Sequence, residues 1–292
     1  MARQQRESRA YRQTGGRKLS RLKNRLPFII YLLIVIVILG FLSLLMGPIR
    51  ISASKILFSI FSPGEDPLIY VIIWQIRMPR LLLEILSGTL LAMSGSLLLG
   101  ISGAAMIDNI AVKSFYLLSC VIAAISVFLI VFGFNLESLY PWLLGSLAQT
   151  TWDKVFIAAL FILAGLIVYV FYYKDLNALM FGEYTAKTLG VEVKLIRMFL
   201  FAVTIIISAA AVYTCGLLCL TGLIFPYFVR LAAGVNYKYM IPVSILTSAS
   251  IVILIDIFSR IIFPTELPIG IMMAVLSGPF YIYALHRRRL GL

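Results

Sequence analysis

Two acidic side chains, Glu84 and Asp256, fall inside long apolar stretches of this sequence, and each has an arginine four positions away, Arg80 and Arg260. A carboxylate at membrane depth marks a proton or ion path unless a cation neutralises it. The i,i+4 spacing puts each arginine on its acid's helix face, one turn nearer the surface, so structural pairing is the stronger reading. Arg77, at the head of the same "RMPR", has no such acid. Metal chemistry has little to work with. Cys215 and Cys219 share a helix face, but buried small side chains explain them better than a soft-metal site. The one histidine, His286, stands beside terminal arginines. No nucleophile, base and orienting group come together for catalysis. A phosphate cradle is also missing: "GGRKLS" at 15–20 lacks the spacing and the Lys-Ser/Thr pair of a nucleotide-binding loop.

The elements that carry these residues are long and apolar. Of the 292 residues 62% are hydrophobic, and the mean hydropathy is +1.03. That composition describes a polytopic membrane protein. A span needs about 20 apolar residues to cross a core of roughly 30 Å. Eight stretches qualify: 26–46, 81–101, 115–134, 154–173, 195–214, 217–233, 240–259 and 268–285. The expected fold class is therefore an all-α polytopic bundle of about eight transmembrane helices. Residues 1–25 form a basic tail with nine Lys/Arg, and residues 26–292 form the membrane domain. Beside a first span, such a tail reads as a solvated cytoplasmic segment near anionic lipid and not as a nucleic-acid arm.

Charge gives an expected orientation. With both termini inside, the inner segments hold nineteen Lys/Arg and the outer ones six, namely Arg50, Lys55, Arg77, Arg80, Lys154 and Arg260. Basic residues gather on the cytoplasmic side. The connector 174–194, with "FGEYTAKTLGVEV" at 181–193, then lies inside. It is long for a turn. Leu176, Leu179 and Met180 recur at helical spacing, and a second short helix after Gly182 sets Ala186 and Leu189 on one side. Glu183 and Lys187 form an i,i+4 pair in the favourable order, and Gly190 ends the turn. From the residues alone, a helical hairpin lying on the membrane interface competes with a knuckle that another protein grips.

"ALMFGEYTAKTLGV" resembles the G-E-x-x-A-x-x-L-G loop of FecCD-type permeases, the membrane subunits of ABC importers for iron-siderophores, haem and vitamin B12. "WQIRMPRLLLEILSGTLLAMSG", "CGLLCLTGLIFPYFVRLAAGVNYKYMIP" and "DIFSRIIFPTELPIGIMMAVLSGPFYIYAL" resemble three further family segments in the family's order. The resemblance implies a permease bundle that pairs with a second permease subunit, identical or paralogous. It implies a partner ABC ATPase that holds the ATP and Mg, while this chain carries no cofactor of its own. An extracytoplasmic substrate-binding protein docks opposite, and the setting is the bacterial cell membrane. By the same resemblance Gly182, Glu183, Ala186, Leu189 and Gly190 couple to the ATPase, and Arg77, Arg80 and Arg260 meet acids of the binding protein.

The match departs in places. Family members usually have ten spans, and after "MSGSLLLG" only "ISGAAMIDNIAVK" precedes the next span here, so a helical pair is missing. The family's P-H becomes Pro226-Tyr227, its D-H-R becomes Asn236-Tyr237-Lys238, and Gly-Phe becomes Cys219-Leu220. The alternative function is a secondary transporter or channel that works without an ATPase; it calls for unpaired intramembrane charge or internal repeats.

Overall fold

The computed structural model describes residues 25–47, 51–56, 67–102, 145, 147, 150–216, 222, 224–233, 236–262, 269, 270, 272, 273 and 275. Every regular element among them is helical. Helix α1 is Arg25–Leu45. A continuous helix follows as α2 (Pro67–Val71), a π-helical stretch Ile72–Arg77 and α3 (Met78–Ser102). Then come α4 (Trp152–Met180), the short α5 (Glu183–Thr188), α6 (Val193–Cys215), α7 (Ile224–Ala233) and α8 (Tyr237–Ile262). Five stretches are long and apolar enough to cross a membrane: Pro27–Leu45, Pro67–Ile101, Trp152–Met180, Val193–Cys215 and Tyr237–Ile261. The tail at 1–24, the expected span 115–134 and most of 268–285 lie outside the described residues, and 217–233 is described mainly as α7.

Two boundaries differ from the sequence reading. The second span does not start at residue 81 but at Pro67, and it takes Arg77 and Arg80 into the helix. Pro67 suits a first helical position, where its missing N–H costs nothing. The six-residue π stretch has a cause in Pro79. A proline inside a helix removes one N–H and crowds the carbonyl behind it, and a wider turn relieves both. Secondly, Leu176 to Met180 do not make a separate helix. They are the last turns of α4, which runs on until Phe181 and Gly182.

Burial follows composition. The three most apolar spans are the least enclosed, and the two least apolar, those of α3 and α8, are innermost. In lipid the apolar driving force between helices is weak, so the centre is built from small residues that let backbones approach. A Cβ on Gly88 would stand 2.7 Å from Ala249 Cα, which places α3 directly against α8. Gly165 of α4 likewise leaves room for Met93 of α3, whose Cε lies 2.6 Å from where a Cβ would be. The outer helices instead spread large side chains outward, such as Val37 and Ile38 on α1 and Phe156, Leu163 and Phe171 on α4.

Candidate functional site

At one end of the bundle α5 forms a knuckle between α4 and α6. Gly182 opens it with φ 103° and Gly190 closes it with φ 82°, both in the region that favours glycine. No atom lies within 4 Å of a Cβ placed on either glycine, so backbone conformation and not space requires them. Ala186 N donates to Gly182 O at 3.0 Å, and Val191 N returns to Ala186 O at 3.1 Å, folding the chain back towards α6. Lys187 Nζ sits 3.1 Å from Glu183 Oε1, and Arg197 of α6 approaches Glu183 Oε2 at 3.8 Å. Hydrogen bonding and charge from Lys187, then the charge of Arg197, hold the Glu183 carboxyl below its usual value. Thus Glu183 ties the knuckle to the next span.

The sequence set Ala186 and Leu189 on one side, and the structure separates them. Ala186 is fully buried against the bundle, whereas Leu189 is 65% exposed. Phe181 and Tyr184 are exposed as well, at 75% and 83%. Beside them a groove of about 490 Å³ is lined by Lys187, Glu192, Lys194, Leu195 and Met198. A short rigid helix thus presents apolar side chains and a charged rim outside the span region. Sequence spacing could not identify Arg197 as the second partner of Glu183.

At the opposite end Arg77, Arg80 and Arg260 turn inward. Arg80 Nη2 reaches Asp256 Oδ1 on α8 at 2.9 Å, and Arg260 Nη2 reaches Glu84 Oε1 on α3 at 3.0 Å. Arg260 also pairs with its neighbour Asp256. The expected local pairs are thus extended across two helices, and both carboxylates are fully buried. Helix α1 completes the cluster. Ser43 Oγ donates to Glu84 Oε2 at 3.3 Å and accepts from Arg260 Nη2 at 2.7 Å. Arg260 Nη1 donates to Met46 O at 3.1 Å, and Arg77 Nη1 donates to Leu44 O. The last carbonyls of a helix have no partner within it, and here two guanidinium groups supply one. Arg77, for which the sequence offered no local acid, is only 7% exposed. Ser43 and the end of α1 were missed because they lie between 33 and 217 residues from their partners in sequence, beyond any spacing rule. Cys215 is buried with Sγ 2.9 Å from Ala211 O, and no cluster of His, Cys, Asp or Glu able to hold a metal occurs among the described residues.

Long apolar helices around a small-residue centre, with a compact knuckle at one end and neutralised charges at the other, define a multi-pass helical membrane protein. A sequence profile described as the FecCD transport family matches residues 33–106 and 115–287. The chain belongs to that family. The break in the match falls where the sequence passes directly from "ISGAAM" towards its next span.

Among similar proteins, the ABC transporter permease MJ0087 of Methanocaldococcus jannaschii is 27% identical, covering 90% of this chain and 95% of its own. That alignment runs to 332 residues, longer than this 292-residue chain, so MJ0087 carries segments with no counterpart here. The hemin transport system permease HmuU of Yersinia pestis is 24% identical, covering 89% of this chain and 95% of its own. The cobalamin import system permease BtuC of Halobacterium salinarum is 35% identical over 57% of this chain, which spans 45% of that relative's length. A solved structure described as an inward-facing conformation of a metal-chelate type ABC transporter has the same fold, with a TM-score of 0.68 at 24% identity, covering 89% of this chain and 99% of that one.

Proposed function

We propose that this chain is the membrane-spanning permease subunit of an ATP-driven, binding-protein-dependent importer of a metal chelate such as an iron-siderophore, haem or cobalamin. The observation that carries the reading is the knuckle: a six-residue helix, fixed by glycines at both ends, with Phe181, Tyr184 and Leu189 left uncovered. Exposed aromatic and aliphatic side chains on a rigid projection are what a cleft in a partner protein takes up. The knuckle faces the cytoplasm, as the basic bias of its segments favours, and both termini lie on that side. There an ABC ATPase subunit receives it, closes when it binds ATP and Mg, and reopens on hydrolysis. A second permease subunit completes the substrate path, and the substrate-binding protein docks at the opposite face.

Arg77, Arg80 and Arg260 act on that docking face by holding its shape. Their guanidinium groups are committed to buried acids and to the end of α1, so in this reading they support the binding-protein surface and do not pair with the binding protein directly. The paired state of Glu84 and Asp256 favours this role over a proton or ion path.

The test is co-purification with the ABC-type ATPase encoded beside this chain. The parent captures it. Gly182→Trp, which cannot adopt the backbone at that position, and Glu183→Ala, which releases Lys187 and Arg197, reduce capture and ATPase stimulation. Unchanged capture by both variants contradicts the reading.

A further inference from the structure

Two prolines lie inside the long helices, and each leaves a carbonyl without its helical donor. In α8, Pro242 has no N–H for Lys238 O. Tyr169 of α4 supplies the missing donor, with its hydroxyl 2.8 Å from Lys238 O. In the π stretch, Met78 N donates to Ile73 O, and the N–H that would next serve Trp74 O belongs to Pro79. Trp152, the first residue of α4, donates its indole N–H to Trp74 O at 3.1 Å. One helix therefore satisfies backbone groups that two neighbours cannot satisfy themselves.

A third contact lies two turns beyond Tyr169. The first N–H groups of α8 lack helical partners. Asn236 caps Lys238 N with Oδ1 at 3.1 Å. Tyr237 N is instead taken by Asn177 Oδ1 of α4 at 2.9 Å. Asn177 Nδ2 also reaches Asn236 Oδ1 at 3.5 Å. The Tyr237 ring is fully buried and points its hydroxyl at Met180 Sδ, 3.7 Å away, in the last turn of α4. Gly100 of α3 admits the ring, since a Cβ there would stand 3.2 Å from Tyr237 Oη. Asn236-Tyr237-Lys238 is also the segment at which the sequence departs from the D-H-R of the family it resembles.

We propose that Asn177 and Tyr169 are positioning residues that fasten the knuckle-bearing α4 to the start of α8, so that a displacement of the knuckle reaches the far-end charge cluster through α8. Met180 is followed directly by the knuckle hinge at Phe181 and Gly182. Asp256 and Arg260 lie towards the other end of α8, about 29 and about 35 Å from Tyr237 at 1.5 Å per residue. Two hydrogen bonds to backbone groups fix α4 to α8 in register, which apolar packing alone does not. The proposal rests on the importer reading, since that reading supplies the force on the knuckle.

The experiment uses the full chain with its ATPase in lipid nanodiscs, with Cys120, Cys215 and Cys219 replaced by alanine. An environment-sensitive dye is placed at Leu189→Cys on the knuckle or at Ile261→Cys at the far end of α8. Both dyes respond when ATP and vanadate trap the ATPase. In Tyr169→Phe or Asn177→Leu the Leu189 signal persists, while the Ile261 signal falls about fivefold, the worth of one neutral hydrogen bond. Asn177→Asp keeps the acceptor for Tyr237 N and restores the Ile261 signal. Pro242→Ala returns the missing N–H within α8 but not the link to α4, so in that background Tyr169→Phe still lowers the Ile261 signal. An Ile261 signal unaffected by Tyr169→Phe and Asn177→Leu overturns the proposal, as does failure of the Asn177→Asp rescue or a silent Tyr169→Phe in the Pro242→Ala background. A parent chain that never captures the ATPase removes the importer reading and the proposal with it, which separates the two failures.

Discussion

Arg260 touches more polar groups than any single pairing rule anticipates: Glu84, Asp256, Ser43 Oγ and the Met46 carbonyl. Its loss leaves two buried carboxylates with reduced compensation. Breaking a buried pair by removing one partner costs about 3–5 kcal/mol. Arg260→Ala therefore lowers the thermal unfolding midpoint of the detergent-purified chain strongly, whereas Arg80→Met with Asp256→Leu, which removes cation and acid together, lowers it less. Equal losses would show that the cluster contributes through packing alone. Glu183 behaves differently because it is exposed. Its pairing with Lys187 and Arg197 holds the carboxyl below the usual value. Such a group contributes while the pH is above its unfolded pKa of roughly 4.3, and the contribution fades as pH falls through the lowered folded value. ATPase capture should then be constant from about pH 6 to 8. A loss within that window would assign the dependence to a group other than Glu183.

At the scale of elements, glycine has two distinct uses here. Gly88 stands where α3 meets the α8 backbone, and Gly182 stands in open space with a positive φ. Gly88→Val should prevent close helix packing and give little folded protein by size-exclusion profile. Gly182→Ala should fold and lose about 1–3 kcal/mol from backbone strain alone. Comparable behaviour of the two would mean that the α3–α8 crossing tolerates separation.

Five of the eight expected spans are seen among the described residues, and they were legible because apolar run length is a direct consequence of bilayer thickness. The knuckle was legible because Gly182 and Gly190 bracket a helical pattern. Boundaries were less so. Charge at Arg77 and Arg80 read as a span end, yet the continuous helix from Pro67 to Ser102 runs through them, and their charges find partners inside the protein. Pairs four residues apart are visible in one dimension; Arg80 with Asp256 and Arg260 with Glu84 exist only once α3 and α8 have packed. The roles of Tyr169, Asn177 and Trp152 had a faint signal, since Pro79 and Pro242 inside long helices announce carbonyls that need outside donors. Nothing in the sequence says which side chains provide them.

For the whole molecule, the family match is interrupted between residues 106 and 115, and the described bundle still carries the knuckle and the far-end cluster on one helical framework. The central claim is that a separate ATPase grips the knuckle from the cytoplasm. Tyr184, 83% exposed on α5, is the side chain best placed to report it. A photo-crosslinking amino acid at position 184, activated in cells that express the ATPase encoded beside this chain, should give a covalent adduct with that subunit. Adduct formation should fall in Gly182→Trp. An absence of adduct with the ATPase, together with labelling of position 184 by a membrane-impermeant reagent added outside the cell, would contradict it.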